Sequence, residues 1–419
     1  MSSRKYSREY AQSLDEQASL CHYRERFHIP QKSDGSDTIY LCGNSLGLQP
    51  KNLRASFDEY LSDWDRLGVE GHFHARMPWL SYHEIVAESL ARLVGASPTE
   101  VVAMNTLTVN LHLLMVSFYR PTAGRYKILI EKSAFPSDRY AVRSQTEFHG
   151  FDPAEAGVLV GGNEPVSTEE IIAEIVKQGD SLALVMLGGV NYLTGQAFDM
   201  ARITEAAHRV GAVAGFDLAH AVGNIPMQLH EWDVDFAVWC SYKYLNAGPG
   251  GIAGAYVHKK HHDTGLPRFA GWWGHEKSTR FQMPMDFKPI PTAESWQLSN
   301  PAIAPLVALR ASLDHFDEAG IGNLRQRSVK LTAFMEELLL QANVPGLQII
   351  TPTDSEQRGA QLSIRVPDGR RVFEAITREG VIADWREPDV IRVAAVPLYN
   401  SFCDVFDFVD LLKKGSHAT

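Results

Sequence analysis

The chain has 419 residues, which is more than one ordinary domain holds and predicts two. Its composition, with 45% hydrophobic and 21% charged residues, is typical of soluble globular proteins. A net charge of −10 and an isoelectric point near 5.9 exclude a global basic surface, so we expect no nucleic-acid partner.

The cysteines and the first residues bear on the cellular compartment. The chain has four scattered cysteines without the spacing of zinc ligands: Cys21, Cys42, Cys240 and Cys403. The first twenty residues lack the apolar core of a signal peptide, and no run approaches the roughly 18 apolar residues that span a bilayer. We therefore expect a reduced, cytoplasmic protein without a membrane partner.

In the middle of the chain, short apolar runs alternate with helical patterns. The apolar runs predict buried strands at 126–130, 182–187, 212–216, 236–240 and 253–257. Apolar residues at helical spacing predict helices at 168–178 and 200–210. The alternation indicates an α/β fold with a mostly parallel sheet covered by helices. In such sheets ligands bind at the carboxyl ends of the strands.

A proline-rich stretch, 283–305, indicates the connection between two domains. A helical region over 306–341 follows, and Gly320 and Gly322 are expected to interrupt it. Beyond it, the predicted strands are 347–351, 360–366, 381–384 and 391–395, and the predicted helices are 370–378 and 404–413. We expect a large domain over residues 51–304 and a small α+β domain made of residues 1–50 and 305–419.

Two polar residues follow predicted strands in the large domain. Asp217 comes after the strand at 212–216, with His220 three residues on, and Lys243 comes after the strand at 236–240. Lysine is among the residues least often buried, so its position after a buried strand makes sense if its amine bonds an aldehyde. Pyridoxal phosphate requires such a lysine, together with a carboxylate facing its pyridinium nitrogen. Lys243 and Asp217 therefore predict pyridoxal 5'-phosphate as the cofactor.

The cofactor phosphate and ring require further groups. Residues 105–110 open an apolar helical stretch, so backbone amides and the Thr108 hydroxyl are suited to bind an anion, although an ordinary helix cap explains the pattern too. Tyr242 carries a phenol beside the lysine that can donate to the phosphate or transfer protons. Phe135 offers a ring that can stack on the pyridine, although taken alone it reads as a core residue.

Three other patterns are discounted. Residues 248–253 match a GxGxxA dinucleotide fingerprint, but Pro249 interrupts it, so a structural turn is favoured. The histidine-rich run 258–263 resembles a metal cluster, but its two lysines favour a solvated surface loop, and we expect no metal. Cys240 is interpreted as a small buried side chain, not as a sulfur-transferring nucleophile.

The sequence strongly resembles kynureninase, of the aspartate-aminotransferase-like fold type I pyridoxal-phosphate enzymes. Specific segments carry the resemblance in family order from about residue 40 to the C-terminus. They are 43–47 (GNSLG), 107–112, 134–138 (AFPSD), 216–221, 240–248, 271–275 (GWWGH), 299–301 and 391–402 (IRVAAVPLYNSF).

The resemblance implies the hydrolysis of L-kynurenine or 3-hydroxy-L-kynurenine to anthranilate or 3-hydroxyanthranilate plus L-alanine, within tryptophan catabolism and NAD biosynthesis. The catalytic residues that it implies are Lys243, Tyr242 and Asp217, with Lys243 forming the Schiff base. The implied cofactor contacts are Leu107, Thr108, Phe135, Pro136, Ser137, Asp138, Asp217, His220, Tyr242, Lys243, Trp272 and Asn300. The implied substrate contacts are Ser45, His72, Asn300 and Arg392. Arg392 pairs with the substrate α-carboxylate, a role suited to its bidentate fork.

Further expectations concern the subunits and the substrate ring. Trp272 and Asn300 are expected to reach the cofactor site from the neighbouring subunit, which implies a homodimer. His72 and Asn300 favour 3-hydroxykynurenine, because both can hydrogen-bond a ring hydroxyl. The chain departs from the family at Gly188, where a hydroxyl residue usually contacts the cofactor. A water or a backbone amide is expected to replace that contact.

Alternatives from other classes remain. A desulfurase of the same fold requires a cysteine on a mobile loop near the lysine, and none of the four is evidently placed so. An aminotransferase of small amino acids is the other alternative within the fold. A nicotinamide-dependent dehydrogenase is weakened by the interrupted fingerprint. A non-catalytic relative is disfavoured because Asp217, Lys243 and Arg392 are all present.

Overall fold

The structure, a computed structural model, describes residues 7–162 and 164–417 of the chain. The helices are α1 (Arg8–Gln17), α2 (Leu53–Leu67), α3 (Gly71–His74), α4 (Tyr82–Ile85), α5 (Ala87–Val94), α6 (Leu107–Phe118), α7 (Pro136–Phe148), α8 (Pro153–Ala156), α9 (Thr168–Gln178), α10 (Met200–Arg209), α11 (Ile303–Ala319), α12 (Ile321–Gln341), α13 (Gly369–Arg378) and α14 (Phe402–His417). The strands are β1 (Ile39–Tyr40), β2 (Val101–Ala103), β3 (Lys127–Glu131), β4 (Gly157–Val160), β5 (Leu182–Gly188), β6 (Val213–Asp217), β7 (Phe236–Trp239), β8 (Gly254–Val257), β9 (Gln348–Ile349), β10 (Gln361–Arg365), β11 (Val381–Ile382), β12 (Asp384–Arg386) and β13 (Val390–Ala394). Within these ranges, no helix combines the length and the apolar character that crossing a membrane requires.

Seven strands form the large sheet in the order β2-β8-β7-β6-β5-β3-β4. The pairings from β7 to β4 are parallel, and β8 alone runs antiparallel to its two neighbours, β2 and β7. Helices α6 and α7 share a core with one face of this sheet, and α9 and α10 share a core with the other. The predicted mostly parallel sheet covered by helices is confirmed.

Local sequence accounts for several of the element boundaries. Ser167 and Glu170 form a capping box that starts α9, and Gly179 (φ 50°) ends it, as the periodicity predicts. Gly320 (φ 74°) separates α11 from α12, because its backbone conformation is one that side chains with a Cβ rarely adopt. The sequence prediction missed strands β2 and β4. Both are short and lie at the two edges of the sheet, so their apolar runs are brief.

The remaining strands form two smaller sheets, the antiparallel β12-β13-β10-β9 and the parallel pair β1-β11. A separate hydrophobic core lies beneath them, made by one face each of α1, α12, α13 and α14. The N-terminal segment divides between the cores, because Ala11 and Leu41 belong to this second core and Phe27 to the first.

The position of α11 bears on the domain division. The sequence prediction placed residues 305–419 in the small domain, but the buried residues of α11 belong to the core of the large sheet. Buried residues of α12 join the second core from Leu331 onward. The division at 304 stays a prediction, and this packing favours a boundary within α12.

Candidate active site

A cleft opens at the carboxyl ends of the parallel strands. It encloses about 590 Å³, including the part open to solvent, which is within the range of small-molecule sites. The loops after β3, β5, β6 and β7 and the first turn of α6 form its walls. The predicted cofactor contacts that line this cleft are Leu107, Thr108, Phe135, Ser137, Asp138, Asp217, His220, Tyr242 and Lys243.

Lys243 lies in a tight loop after β7, which a backbone hydrogen bond from Asn246 N to the Lys243 carbonyl (3.0 Å) closes. Its Nζ lies 3.0 Å from Nε2 of His220. Burial, with the positive charge of Lys243 next in size, holds the pKa of His220 well below its usual value. The imidazole therefore stays neutral, and its Nε2 accepts from the lysine. The ring centres of Phe135 and Tyr242 lie 5.8 and 6.0 Å from Nζ, so the amine lies beside two aromatic rings.

Three carboxyl groups converge on the same cleft: Glu131, Asp138 and Asp217. Asp217 ends β6, and its Oδ1 accepts from the backbone N–H of Ala219 at 2.7 Å. Burial raises the pKa of Asp138 well above its usual value, and the adjacent Asp217 raises it further. Burial raises the pKa of Asp217 too, but the N–H of Ala219 and the positive charge of Lys243 oppose that rise. Asp138 is therefore the group of the pair that holds a proton, and Asp217 the one that carries the negative charge. Burial also raises the pKa of Glu131 to about 7.

Phe135 immediately precedes α7, and Pro136 is the first residue of that helix. Proline suits this position because its missing N–H would have no partner there. Pro136 is outside the set of residues that line the cleft, whereas Phe135 lines it and is 40% exposed. The interpretation of Phe135 as a core residue is therefore wrong, because its ring faces the cleft.

Gly188 ends β5, next to Asp217 on β6. A Cβ at this position would lie 3.2 Å from Oε1 of Glu131 and 3.3 Å from the carbonyl oxygen of Val190. Oε2 of Glu131 accepts from the Gly188 N–H at 3.0 Å. The Glu131 carboxyl group thus borders the space that a side chain at position 188 would occupy.

Arg392 lies on β13 and is 1% exposed. Its Nη1 donates to the carbonyl of Tyr192 at 2.6 Å, and its Nη2 donates to Oδ2 of Asp384. The Tyr192 ring lines the cleft and packs edge-on against Phe135, with ring centres 5.2 Å apart. Arg392 therefore adjoins the cleft through Tyr192.

Besides Pro136 and Arg392, four further predicted residues lie outside the set that lines the cleft. Ser45 is in the loop between β1 and α2, and His72 is in α3, where its ring packs edge-on against Trp79. The indole of Trp272 donates to the carbonyl of Arg280 at 3.1 Å and is 39% exposed. Asn300 is exposed and lines a different pocket. Their roles at the cofactor and substrate stay predictions.

The histidine-rich run after β8 corrects one expectation. His258 and His262 are buried instead of lying in a solvated loop. His262 bonds the Val257 carbonyl, and His261 bonds Oδ1 of Asp235 at 2.7 Å. Ligand atoms of Glu100, His230 and His258 lie within 4.8 Å of one another, but Nδ1 of His258 already accepts from the Lys260 N–H. The expectation of no metal stays a prediction.

Sequence reasoning missed four residues at or beside the cleft: Glu131, Asn191, Tyr192 and Asp384. Glu131 offered a signal, because an acid at the end of a buried strand is as unusual as the lysine after β7. The other three lie in irregular segments or on a short strand, where periodicity carries no information.

The residues of the cleft fit pyridoxal phosphate. Among the described residues, Oδ1 of Asp138 and Nδ1 of His220 are buried polar atoms without a hydrogen-bond partner. Buried polar atoms are normally paired, so this cleft is suited to a ligand with several polar groups. A lysine, an ionised aspartate, an exposed aromatic face and a helix N-terminus meet in it. This set provides the covalent, ionic, stacking and anion-binding contacts that the cofactor requires.

Comparisons with known proteins point to one family. The model of the kynureninase C-terminal domain matches residues 324–412, a range that begins within α12. The kynureninase of Koribacter versatilis is 57% identical over 405 residues, covering 96% of this chain and 96% of the relative.

Solved structures share the fold at low sequence identity. A cysteine desulfurase of Escherichia coli is similar with a TM-score of 0.76 and 17% identity, over 95% of this chain and 98% of that one. The C-DES protein, in a lysine-to-alanine variant with glycine covalently linked to its pyridoxal-phosphate cofactor, has a TM-score of 0.75 and 16% identity, over 94% of this chain and 99% of that one. These likenesses establish a fold type I architecture.

Proposed function

The chain belongs to the kynureninase family, and we propose that the cleft at the carboxyl edge of its large sheet is where it cleaves kynurenines. It is a hydrolase of carbon–carbon bonds that depends on pyridoxal phosphate. The observation that supports this location is the meeting of Lys243, Asp217 and Phe135 in one cleft beside the buried Arg392. A desulfurase is not favoured, because the similarity to desulfurases lies in the fold at low sequence identity.

Each group of the cofactor has a counterpart in the cleft. Lys243 would bond its aldehyde, and Asp217 would pair with the ring nitrogen. Phe135 would stack on the ring, while Thr108, Ser137 and the first amides of α6 would bind the phosphate. When bound, pyridoxal phosphate supplies an electron sink that stabilises negative charge at the substrate Cα.

The proton transfers fall to residues already in place. When it is not bonded to the cofactor, the Nζ amine of Lys243 would take the proton from the substrate Cα. His220 accepts from Nζ of the free lysine and so holds the amine beside the Phe135 ring. Burial raises the pKa of Tyr242, which keeps its phenol protonated as a donor beside the lysine.

Arg392 would bind the substrate α-carboxylate. Arg386 and Arg392 share the single carboxylate of Asp384, so the three side chains carry a net positive charge. Nε of Arg392 is buried without a hydrogen-bond partner among the described residues. An anionic substrate group at this position would balance the charge and supply a partner.

A second copy of the chain would complete the site. Trp272 and Asn300 lie on the surface, outside the residues that line the cleft. The ring of Phe281 lies 5.5 Å from that of Trp272 and is 52% exposed, and Met283, two residues further on, is 64% exposed. An exposed apolar patch of this kind is suited to subunit contact. We therefore propose a homodimer in which each subunit provides Trp272 and Asn300 to the other.

Complementation tests that arrangement. Lys243→Ala and Asn300→Ala subunits, each inactive alone, would be mixed after mild dissociation. If Asn300 acts across the interface, heterodimers have one intact site, and activity returns to about a quarter of wild type. Activity that stays absent, although heterodimers form, would show that both residues serve the same subunit's site.

The 3-hydroxylated substrate is the second element of the proposal. His72 and Asn300 can hydrogen-bond a ring hydroxyl, and a site built for such a bond disfavours a substrate without one. Comparison of kcat/KM for the two kynurenines in wild type and His72→Ala measures this preference. Loss of the preference in His72→Ala supports it, and an unchanged ratio contradicts it.

The central experiment follows the cofactor and the product together. The purified chain with added pyridoxal phosphate should show a visible absorption band and release anthranilate from kynurenine. Lys243→Ala should lose both, whereas Lys51→Ala, an exposed lysine, should keep both. An enzyme that shows the visible band but leaves both kynurenines intact would contradict the substrate assignment.

A cytoplasmic location and a place in tryptophan breakdown and NAD biosynthesis complete the proposal. The four free cysteines are in keeping with a reducing compartment.

A further inference from the structure

Glu131 is a buried acid that the reaction described above does not use. It is the last residue of β3, is 3% exposed and lines the cleft. A buried carboxyl group is costly unless its oxygens have partners, so its presence beside two other acids requires an explanation.

The contacts of Glu131 tie it to the next strands of the sheet. Its Oε2 accepts from the N–H of Gly188, the last residue of β5, at 3.0 Å. Gly188 in turn pairs with Asp217 on β6. The carboxyl group of Glu131 therefore adjoins the residue that carries the negative charge opposite the cofactor nitrogen.

Because residue 188 is a glycine, the Glu131 carboxyl group has room beside it. A Cβ on residue 188 would lie 3.2 Å from Oε1, which is tighter than an ordinary van der Waals contact. The family usually has a hydroxyl residue at this position that contacts the cofactor. In this chain the Glu131 carboxyl group borders the space that a side chain at position 188 would occupy. It can donate a hydrogen bond when protonated and accept one when ionised.

We propose that Glu131 is a cofactor-positioning residue, whose carboxyl group makes the polar contact that a hydroxyl side chain at position 188 would make. This inference rests on pyridoxal phosphate binding in the cleft. The ligand group that Glu131 recognises is the phenolic hydroxyl of the cofactor ring. Burial raises the pKa of Glu131 to about 7, so the contact switches between donor and acceptor near neutral pH.

The test is a double-mutant cycle on the holoenzyme with Glu131→Ala, Gly188→Ser and the combined variant. The dissociation constant of pyridoxal phosphate is measured by titration of the visible band. Glu131→Ala should weaken binding roughly tenfold, the effect of one buried hydrogen bond. Gly188→Ser alone should also weaken binding, because its Cβ crowds Oε1. In the Glu131→Ala background the same serine should strengthen binding, so its effect reverses sign.

Glu131→Gln gives a second, independent measurement. The amide keeps the shape but removes the titration, so thermal stability without cofactor should stay near wild type. The pH midpoint of the visible band should fall, because a nearby negative charge that favours the protonated form is lost. For the Gly188→Ser variant of the double-mutant cycle, the matched control is Gly124→Ser, because no atom lies within 4 Å of the Cβ position of residue 124.

The outcomes separate the inference from the function it rests on. A serine at 188 that weakens binding equally in both backgrounds would overturn the role of Glu131. So would a Glu131→Gln enzyme that loses stability but keeps the wild-type dissociation constant and band. A wild-type chain that develops no visible band with pyridoxal phosphate would overturn the cofactor site itself.

Discussion

Replacing Gly47 with alanine should displace Lys243, the proposed Schiff-base lysine, without changing its side chain. Gly47 lies in the loop between β1 and α2, and its N–H donates to the carbonyl of Tyr242 at 2.8 Å. A Cβ on residue 47 would come within 2.8 Å of Cα of Asn246, and closer still to the carbonyl oxygen of Lys243. These two contacts are with the backbone of the lysine loop, which cannot move aside as a flexible side chain could. A third contact is with Oδ1 of Asn246, a side chain that is itself buried.

The structure sets the size of the expected effect. Ordinary van der Waals contact requires the lysine loop or the Gly47 loop to shift by roughly 1 Å. A displacement of that size at a reacting group costs on the order of a hundredfold in rate. Overpacking of this kind costs about 1–3 kcal/mol of stability. Gly47→Ala should therefore fold, lose a few degrees of thermal stability and lose most of its activity.

Three measurements on Gly47→Ala test this reasoning: thermal unfolding, the visible band with pyridoxal phosphate, and kcat for kynurenine. The matched control is Gly124→Ala, whose Cβ position is open and which should behave as wild type in all three. A Gly47→Ala enzyme with wild-type kcat and band would refute the claim that this loop fixes the position of Lys243.

Three further changes have defined outcomes. Arg392→Lys should raise KM about tenfold or more with a smaller change in kcat, because lysine lacks the bidentate fork; equal KM values would contradict its role with the substrate carboxylate. Tyr242→Phe should lower kcat roughly a hundredfold while pyridoxal phosphate binds as before, since burial raises the pKa of the phenol and keeps its proton available. For Asp235, burial alone would raise the pKa, but hydrogen bonds from His208 and His261 outweigh it and lower the pKa. The ionised Asp235 therefore stabilises the folded state fully above its unfolded-state pKa, about 3.9. This stabilisation is lost as the pH falls through the lower pKa of the folded state. In urea unfolding at pH 7, Asp235→Asn should cost about 3–5 kcal/mol against little for the exposed Asp233→Asn, and similar costs for the two would contradict this account.

Much of the large sheet could be predicted from the sequence. The strands β3, β5, β6, β7 and β8 lie within two residues of their predicted bounds, because buried strands read as short apolar runs whatever their neighbours are. Asp217 and Lys243 are recognisable for the same reason, since a charged residue beside such a run is exceptional. The helix break at Gly320 likewise depends on one residue's own backbone preference.

Other features depend on contacts between segments far apart in the chain. Periodicity indicates that α11 is helical, but the neighbours on its apolar face decide which core it joins. The histidines after β8 look like surface residues in sequence because lysines flank them. His258 and His262 are nevertheless buried, and their partners are the N–H of Lys260 and the carbonyl of Val257. His261 bonds Asp235, which precedes β7.

The sequence by itself determined the fold class and singled out Lys243 and Asp217 as the proposed cofactor residues, since each depends on a local pattern of burial and charge. Only the tertiary structure decided which polar groups surround them. Glu131 meets Gly188 because β3 and β5 are neighbours, and Arg392 meets Asp384 because β13 pairs with β12. Strand order and register are set by the packing of the whole sheet, so no window of sequence contains them.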